Sequence, residues 1–91
     1  FYENIPRSLP KNLSAKIERN AVQVLPVFDL IARTGNIPER DMFNTFNMGV
    51  GMVVCVDKND ADKAVSAINE SGEQAYIFGE LVESDEGVII C

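Results

Sequence analysis

Histidine and tryptophan are both absent from the 91-residue chain, and the first absence removes the commonest general base and the commonest metal ligand together. Cysteine occurs only twice, Cys55 inside an apolar run and Cys91 at the last position. Two cysteines without a short-spaced pair exclude a disulfide framework and a cysteine metal pattern, and they fit a reducing, cytoplasmic setting. Basic residues are few: eight Lys and Arg stand against fourteen Asp and Glu, for a net charge of −6. That sign is opposite to the one a phosphate-backbone binder needs, so nucleic acid is excluded as a partner. Long apolar runs are missing too. The longest, residues 48–56, is interrupted by two glycines and falls well short of the roughly 20 residues a bilayer span requires. The chain begins with Phe1 and shows no basic-then-apolar targeting segment, so it is expected to be a piece of a longer protein.

What is present is ordinary globular material. Hydrophobic residues make up 46% and charged residues 24%, far from the composition of disordered chains. A chain of this length supports one core, burying about 60 to 65% of the surface it would expose unfolded.

Residues 57–72 read as a helix, because Ala61, Ala64, Val65 and Ile68 fall on one face. Asp57 or Asn59 can cap its start, and Gly72 can take the left-handed position past its end. Ile68 is expected to anchor this face against residues 53–56. A second helix is expected over 26–34, with Pro26 at its first position, an apolar stripe of Val27, Phe28, Leu30 and Ile31, and Gly35 as a stop. A third begins at Pro38, turns Met42, Phe43 and Phe46 inward, and ends near Asn44. Strands are expected at 48–56, 75–83 and 87–90 from their β-branched and aromatic content, the last two pairing as a hairpin. A weaker strand, 13–18, alternates Leu13, Ala15 and Ile17 with polar residues. The expected order is strand, helix, helix, strand, helix, strand, strand. It describes an α/β (α+β) fold, a two-layer sandwich of helices on a mixed sheet, partly ferredoxin-like.

Two stretches stand out chemically. In Asn44-Thr45-Phe46-Asn47-Met48-Gly49-Val50-Gly51-Met52, two glycines one residue apart let a ligand or another backbone approach, or they mark a bulge at the start of a core strand. This stretch lacks the Lys and Ser/Thr of a phosphate loop and the strand-to-helix context of a dinucleotide turn. The second stretch, Phe1 to Pro10, holds Glu3, Asn4 and Arg7 among rigid prolines. There Arg7 could grip a phosphate or carboxylate and Glu3 could orient a base, or the two could form a solvated pair on a frayed terminus. The remaining aromatics read as core, and the acids near residues 80–86 as a solubilising edge.

Taken together these stretches resemble the C-terminal region of the aminoimidazole ribonucleotide synthetases, also called phosphoribosylformylglycinamidine cyclo-ligases. Glu3-Asn4-Ile5-Pro6-Arg7 matches the family's Glu-Asn-Ile-Pro-Arg element, and residues 45–52 match its Thr-Phe-Asn-Met-Gly-Val-Gly-Met element. The family's Pro-led helix, its Ile-Pro-Glu helix start and its Ala-Tyr strand are matched by residues 26–31, 37–42 and 75–80. The resemblance implies a purine-biosynthesis ligase that spends ATP to close the imidazole ring of 5-aminoimidazole ribonucleotide from formylglycinamidine ribonucleotide. It implies Glu3, Asn4, Arg7, Asn47, Gly49 and Gly51 as substrate-binding residues, with no catalytic residue and no metal ligand assigned in this chain. ATP and magnesium would be held mainly by an N-terminal domain, which also forms the family's homodimer and would be this domain's partner. The family's His-bearing glycine turn is expected just before Phe1, so residues 1–91 are expected to be a truncated C-terminal domain, inactive alone and prone to self-association. A reading from another class is a small ferredoxin-like regulatory or ligand-binding module.

Overall fold

The weakest of the expected strands forms the centre of the sheet. In the computed structural model, which describes residues 1–91, β1 (Leu13–Ile17) is flanked on one side by β2 (Gly79–Glu83) and on the other by β3 (Val88–Ile90). β2 runs antiparallel to β1 with Ala15 opposite Leu81, and β3 runs parallel to it with Ala15 opposite Val88. A 3-10 turn at Ile5–Ser8 precedes β1, and between β1 and β2 come α1 (Pro26–Gly35), α2 (Glu39–Thr45) and α3 (Ala61–Glu70), with short 3-10 turns at Arg19–Ala21 and Lys58–Asp60. The fold is therefore α+β, a three-stranded mixed sheet with helices, as the composition and pattern imply.

The core explains why β1 is central. Ala15 and Ile17 are buried and pack with Phe1, Val22, Met42, Phe43, Met48 and Val88 into one cluster, so the modest alternation read in the sequence is the inward face of the sheet. The next layer comes from α1, whose Phe28, Ile31 and Ala32 pack against the cluster, and from α2, whose Met42 and Phe43 are within it. No side chain of α1 or α3 is itself buried.

Helix ends follow local chemistry. α1 starts at Pro26 as expected, but Gly35 is its last residue and Asn36, at φ 52°, takes the left-handed capping position. Asn tolerates that conformation because its short polar side chain adds little steric cost. Before α3, Asp57 caps the 3-10 turn at Lys58–Asp60 by accepting a hydrogen bond from the Asn59 N–H (2.8 Å), and Gly72 sits at φ 102° beyond the end of α3.

Three expectations are corrected. The hairpin of β2 and β3 does not form, because β1 lies between them. Strands two places apart in a sheet are about 10 Å apart, and Ser14 stitches the wide connection in place. Its hydroxyl donates to the Ser84 carbonyl and accepts from the Gly87 N–H, both at 2.9 Å. Residues 48–56 are not a strand. Met48 and Gly49 make a turn, and the following residues reach no sheet edge, leaving Met52 82% and Val54 55% exposed. Apolar β-branched composition favours extension, but a ladder needs a partner. Finally, Ile68 is half-buried and outside the core, since α3 packs none of its residues on the cluster.

The strand expected over 75–83 is shorter for a related reason. Ala75 gives its N–H to the Asn69 side chain (2.8 Å) and the Tyr76 hydroxyl accepts from the Gln23 N–H (3.0 Å), so the early residues are held by side chains and not by a ladder. At Gly79 the backbones of β2 and β1 come so close that a Cβ would lie 2.3 Å from the Lys16 carbonyl oxygen. No helix is long and apolar enough to cross a membrane.

Candidate functional site

The first residues are pinned by an aromatic anchor. Phe1 is buried, meets Phe43 edge-on at 4.9 Å and Phe78 at 5.8 Å, and its backbone nitrogen donates to the Phe43 carbonyl. From that anchor the chain turns through Ile5–Ser8, with the Ile5 N–H on the Phe1 carbonyl and the Arg7 N–H on the Asn4 carbonyl. The frayed terminus considered from composition is not observed, and no Glu3–Arg7 ion pair forms.

The second element is a tight turn after α2. Met48 and Gly49 have φ values of 57° and 104°, and the Val50 N–H returns to the Asn47 carbonyl at 2.9 Å. Two central residues with positive φ are the signature of a type I′ turn. Asn47 reinforces it: its side-chain oxygen accepts the Gly49 N–H at 2.8 Å, which leaves its amide N–H groups free to donate elsewhere. A non-glycine residue in the left-handed region is strained, and here burial of the Met48 side chain in the core holds it there.

These two elements, distant in sequence, form opposite sides of one open cavity of about 400 Å³, bordered by Asn4, Ile5, Asn44, Asn47, Gly51 and Met52 among others. Of the six residues expected to bind substrate, Asn4, Asn47 and Gly51 line this cavity. Glu3 lies one bond behind it, accepting from the Asn44 side-chain amide at 3.1 Å, so that the Asn44 oxygen is the free end of that amide. Gly49 faces away, toward Leu25: a Cβ built on it would fall 2.7 Å from the leucine Cγ. Arg7 is exposed and does not border the cavity.

The wall is thus a set of neutral donors and acceptors, three asparagine amides, the Ser8 and Thr45 hydroxyls and backbone, beside apolar Phe46, Val50 and Met52. Such a surface can orient a polar ligand, but no charged side chain lines it to act as a base or to activate the Ser8 and Thr45 hydroxyls. No three His, Cys, Asp or Glu side chains gather anywhere in the chain to hold a metal. Asn44 was not among the residues singled out for binding, and its link to Glu3 spans 41 positions, a contact that no local spacing announces.

Comparison with known proteins agrees with the motifs. The family described as AIR synthase related protein, C-terminal domain, matches residues 1–91. A phosphoribosylformylglycinamidine cyclo-ligase of Thermoanaerobacter sp. (strain X514) is 52% identical over 90 residues, 99% of this chain and 27% of that protein. Proteins of the same name from Acetivibrio thermocellus and Lachnoclostridium phytofermentans are 50% and 45% identical over 91 residues, the whole of this chain and 27% of each of them. The chain therefore spans about a quarter of the length of these relatives.

Proposed function

Residues 1–91 belong to the AIR synthase related family as its C-terminal domain, and on that premise we propose that they are part of the C-terminal domain of a phosphoribosylformylglycinamidine cyclo-ligase. The observation that carries this reading is identity near 50% along the whole chain, together with the cavity that gathers Asn4, Asn47 and Gly51 from the two matched motifs.

The chemistry such an enzyme performs sets what this chain must do. A formyl amide oxygen is a poor leaving group, so the γ-phosphoryl of ATP is transferred to it, the amidine nitrogen attacks the activated carbon, and phosphate departs. ADP, phosphate and 5-aminoimidazole ribonucleotide are the products. Most of the rate enhancement in such transfers comes from holding the reacting groups in line and stabilising charge. This chain's contribution is the positioning: the amides of Asn4 and Asn47 and the backbone at Gly51 hold the ribonucleotide, and Glu3 fixes the Asn44 amide. Arg7, exposed and outside the cavity lining, would meet the phosphate end of the ligand only within the intact protein. Gly49 acts within the turn and not on the ligand.

Magnesium would supply charge neutralisation during the phosphoryl transfer. The residues present do not fit such a site, and ATP and magnesium belong in this reading to an N-terminal domain outside residues 1–91. That domain is the chain's partner in cis and the seat of a homodimer, in the cytoplasm. Alone, residues 1–91 are inactive, and the exposed apolar residues 52–56 promote self-association.

The test is equilibrium binding of formylglycinamidine ribonucleotide to the intact protein and to its Asn4→Ala variant. Asn4 makes no side-chain hydrogen bond within the chain, although it precedes the first 3-10 turn, so the fold should not change. Loss of one ligand hydrogen bond of about 1.4 kcal/mol corresponds to tenfold weaker binding. Equal affinity of the two proteins would remove Asn4 and this wall from the substrate site.

A further inference from the structure

Leu25 has an unusual position for a leucine. It directly precedes α1, leaves half of its surface in solvent (51%), and is not a member of the buried core. Its backbone N–H donates to the Met48 carbonyl at 3.3 Å. Its side chain lies so close to Gly49 that a Cβ there would approach Cγ to 2.7 Å and Cδ1 to 3.2 Å. One residue therefore touches both central positions of the type I′ turn, by a hydrogen bond at Met48 and by van der Waals contact at Gly49. On the other side, the same turn leads through Val50 to Gly51, where it borders the cavity.

The turn needs an external hold. Met48 occupies the left-handed region at φ 57°, a state that persists only when the surroundings over-determine it. Asn47 supplies two bonds inside the turn, but these fix its shape and not its location. Location comes from the buried Met48 side chain below and from Leu25 beside it. At Gly49 a φ of 104° and the Leu25 side chain both disfavour a Cβ, whereas Gly51 has no positive φ and the space around it is open to 4 Å. The two glycines of the motif thus have different causes: one admits Leu25, and the other leaves the cavity wall bare.

We propose that Leu25 is a positioning residue that clamps the Asn47–Gly51 turn against the start of α1 and so fixes where the Asn47 amide and the Gly51 backbone meet the ligand. The proposal rests on the reading of this cavity as the ribonucleotide site. It makes α1 part of the binding apparatus through its first turn, although no residue of α1 borders the cavity.

The experiment uses the intact protein with Leu25→Ala and Leu25→Met. Hydrogen exchange read by mass spectrometry on peptides covering residues 47–51 should accelerate at least about tenfold in Leu25→Ala, while peptides covering residues 13–17 keep wild-type rates. In the same variant kcat/KM for formylglycinamidine ribonucleotide should fall at least about tenfold, with the change mainly in KM. Leu25→Met, which keeps an apolar side chain of similar volume beside Gly49, should restore both. Unchanged exchange at 47–51 would overturn the clamp, as would equal acceleration at 13–17, the sign of general destabilisation. Loosened exchange with an unaltered kcat/KM would overturn the positioning role. If the wild-type protein does not turn over the ribonucleotide at all, the functional reading fails by itself, and the contrast in exchange still decides whether Leu25 holds the turn.

Discussion

Alanine placed at Gly49 and at Gly51 should have opposite consequences. At Gly49 the backbone sits at φ 104°, which costs an L-residue roughly 1 to 2 kcal/mol. The new methyl would also lie 2.7 Å from Leu25 Cγ, and overpacking of this kind costs about 1 to 3 kcal/mol. The sum, about 2 to 5 kcal/mol, is a large part of the roughly 5 to 14 kcal/mol that a domain of this length has. At Gly51 φ is not in the left-handed region and no atom lies within 4 Å of the added carbon. Gly51→Ala should therefore leave stability within about 0.5 kcal/mol, or raise it slightly by restricting the unfolded chain. Urea unfolding reads the difference: the midpoint should drop by about 1 M or more for Gly49→Ala and stay in place for Gly51→Ala. Kinetics should show the reverse order of specificity. If the bare backbone at Gly51 is where the ligand approaches, kcat/KM of the intact enzyme should fall at least about tenfold in Gly51→Ala while its melting temperature holds. A Gly51→Ala protein as unstable as Gly49→Ala would refute the structural reasoning, and a stable, kinetically normal one would take Gly51 out of the site.

Ser14→Ala should cost about 1 to 3 kcal/mol, read by thermal unfolding, since it strands the Gly87 N–H and the Ser84 carbonyl that the buried hydroxyl now satisfies. Phe43→Ala should cost about 3 to 5 kcal/mol by the same assay and release Phe1, whose ring packs against it at 4.9 Å. Ile68→Ala should cost less than either, about 1 kcal/mol, because Ile68 is half-buried and outside the core cluster. A larger loss at Ile68 would mean that α3 packs on the sheet in solution.

The features legible in the sequence are those set by near neighbours. Pro26 marks the start of α1, although Val27 and Leu30 of the stripe behind it are exposed, and Gly72 follows the end of α3, while Asp57 caps the 3-10 turn that leads into it. Met42 and Phe43 were readable as inward-facing from their place on a short helix. The misreadings all concern partners distant in the chain. Leu13 to Ile17 has only modest strand character, yet it accepts both neighbours of the sheet, because Ala15 and Ile17 fill the core and Ser14 ties the connection beyond. Residues 48–56 have stronger strand character and no ladder, since propensity cannot supply an edge to pair with.

The same division runs through the site. The two motifs were visible as unusual stretches, and their joint presence marked the family, but their meeting across one cavity depends on Phe1 being buried against Phe43. The different duties of Gly49 and Gly51 are not separable by spacing, because the left-handed backbone at Gly49 and the position of Leu25 beside it distinguish them. Glu3 read as a direct ligand group, whereas its carboxylate is bonded to Asn44 behind the cavity wall.

The most direct test of the account is a steady-state assay of the intact protein that contains residues 1–91, supplied with formylglycinamidine ribonucleotide, ATP and magnesium, with residues 1–91 alone assayed in parallel. The account predicts that the intact protein forms one ADP, one phosphate and one 5-aminoimidazole ribonucleotide per turnover, at a rate on the order of 1 per second or faster, and that residues 1–91 alone release no phosphate. A folded intact protein that consumes no ribonucleotide, or turnover by residues 1–91 alone, would contradict it.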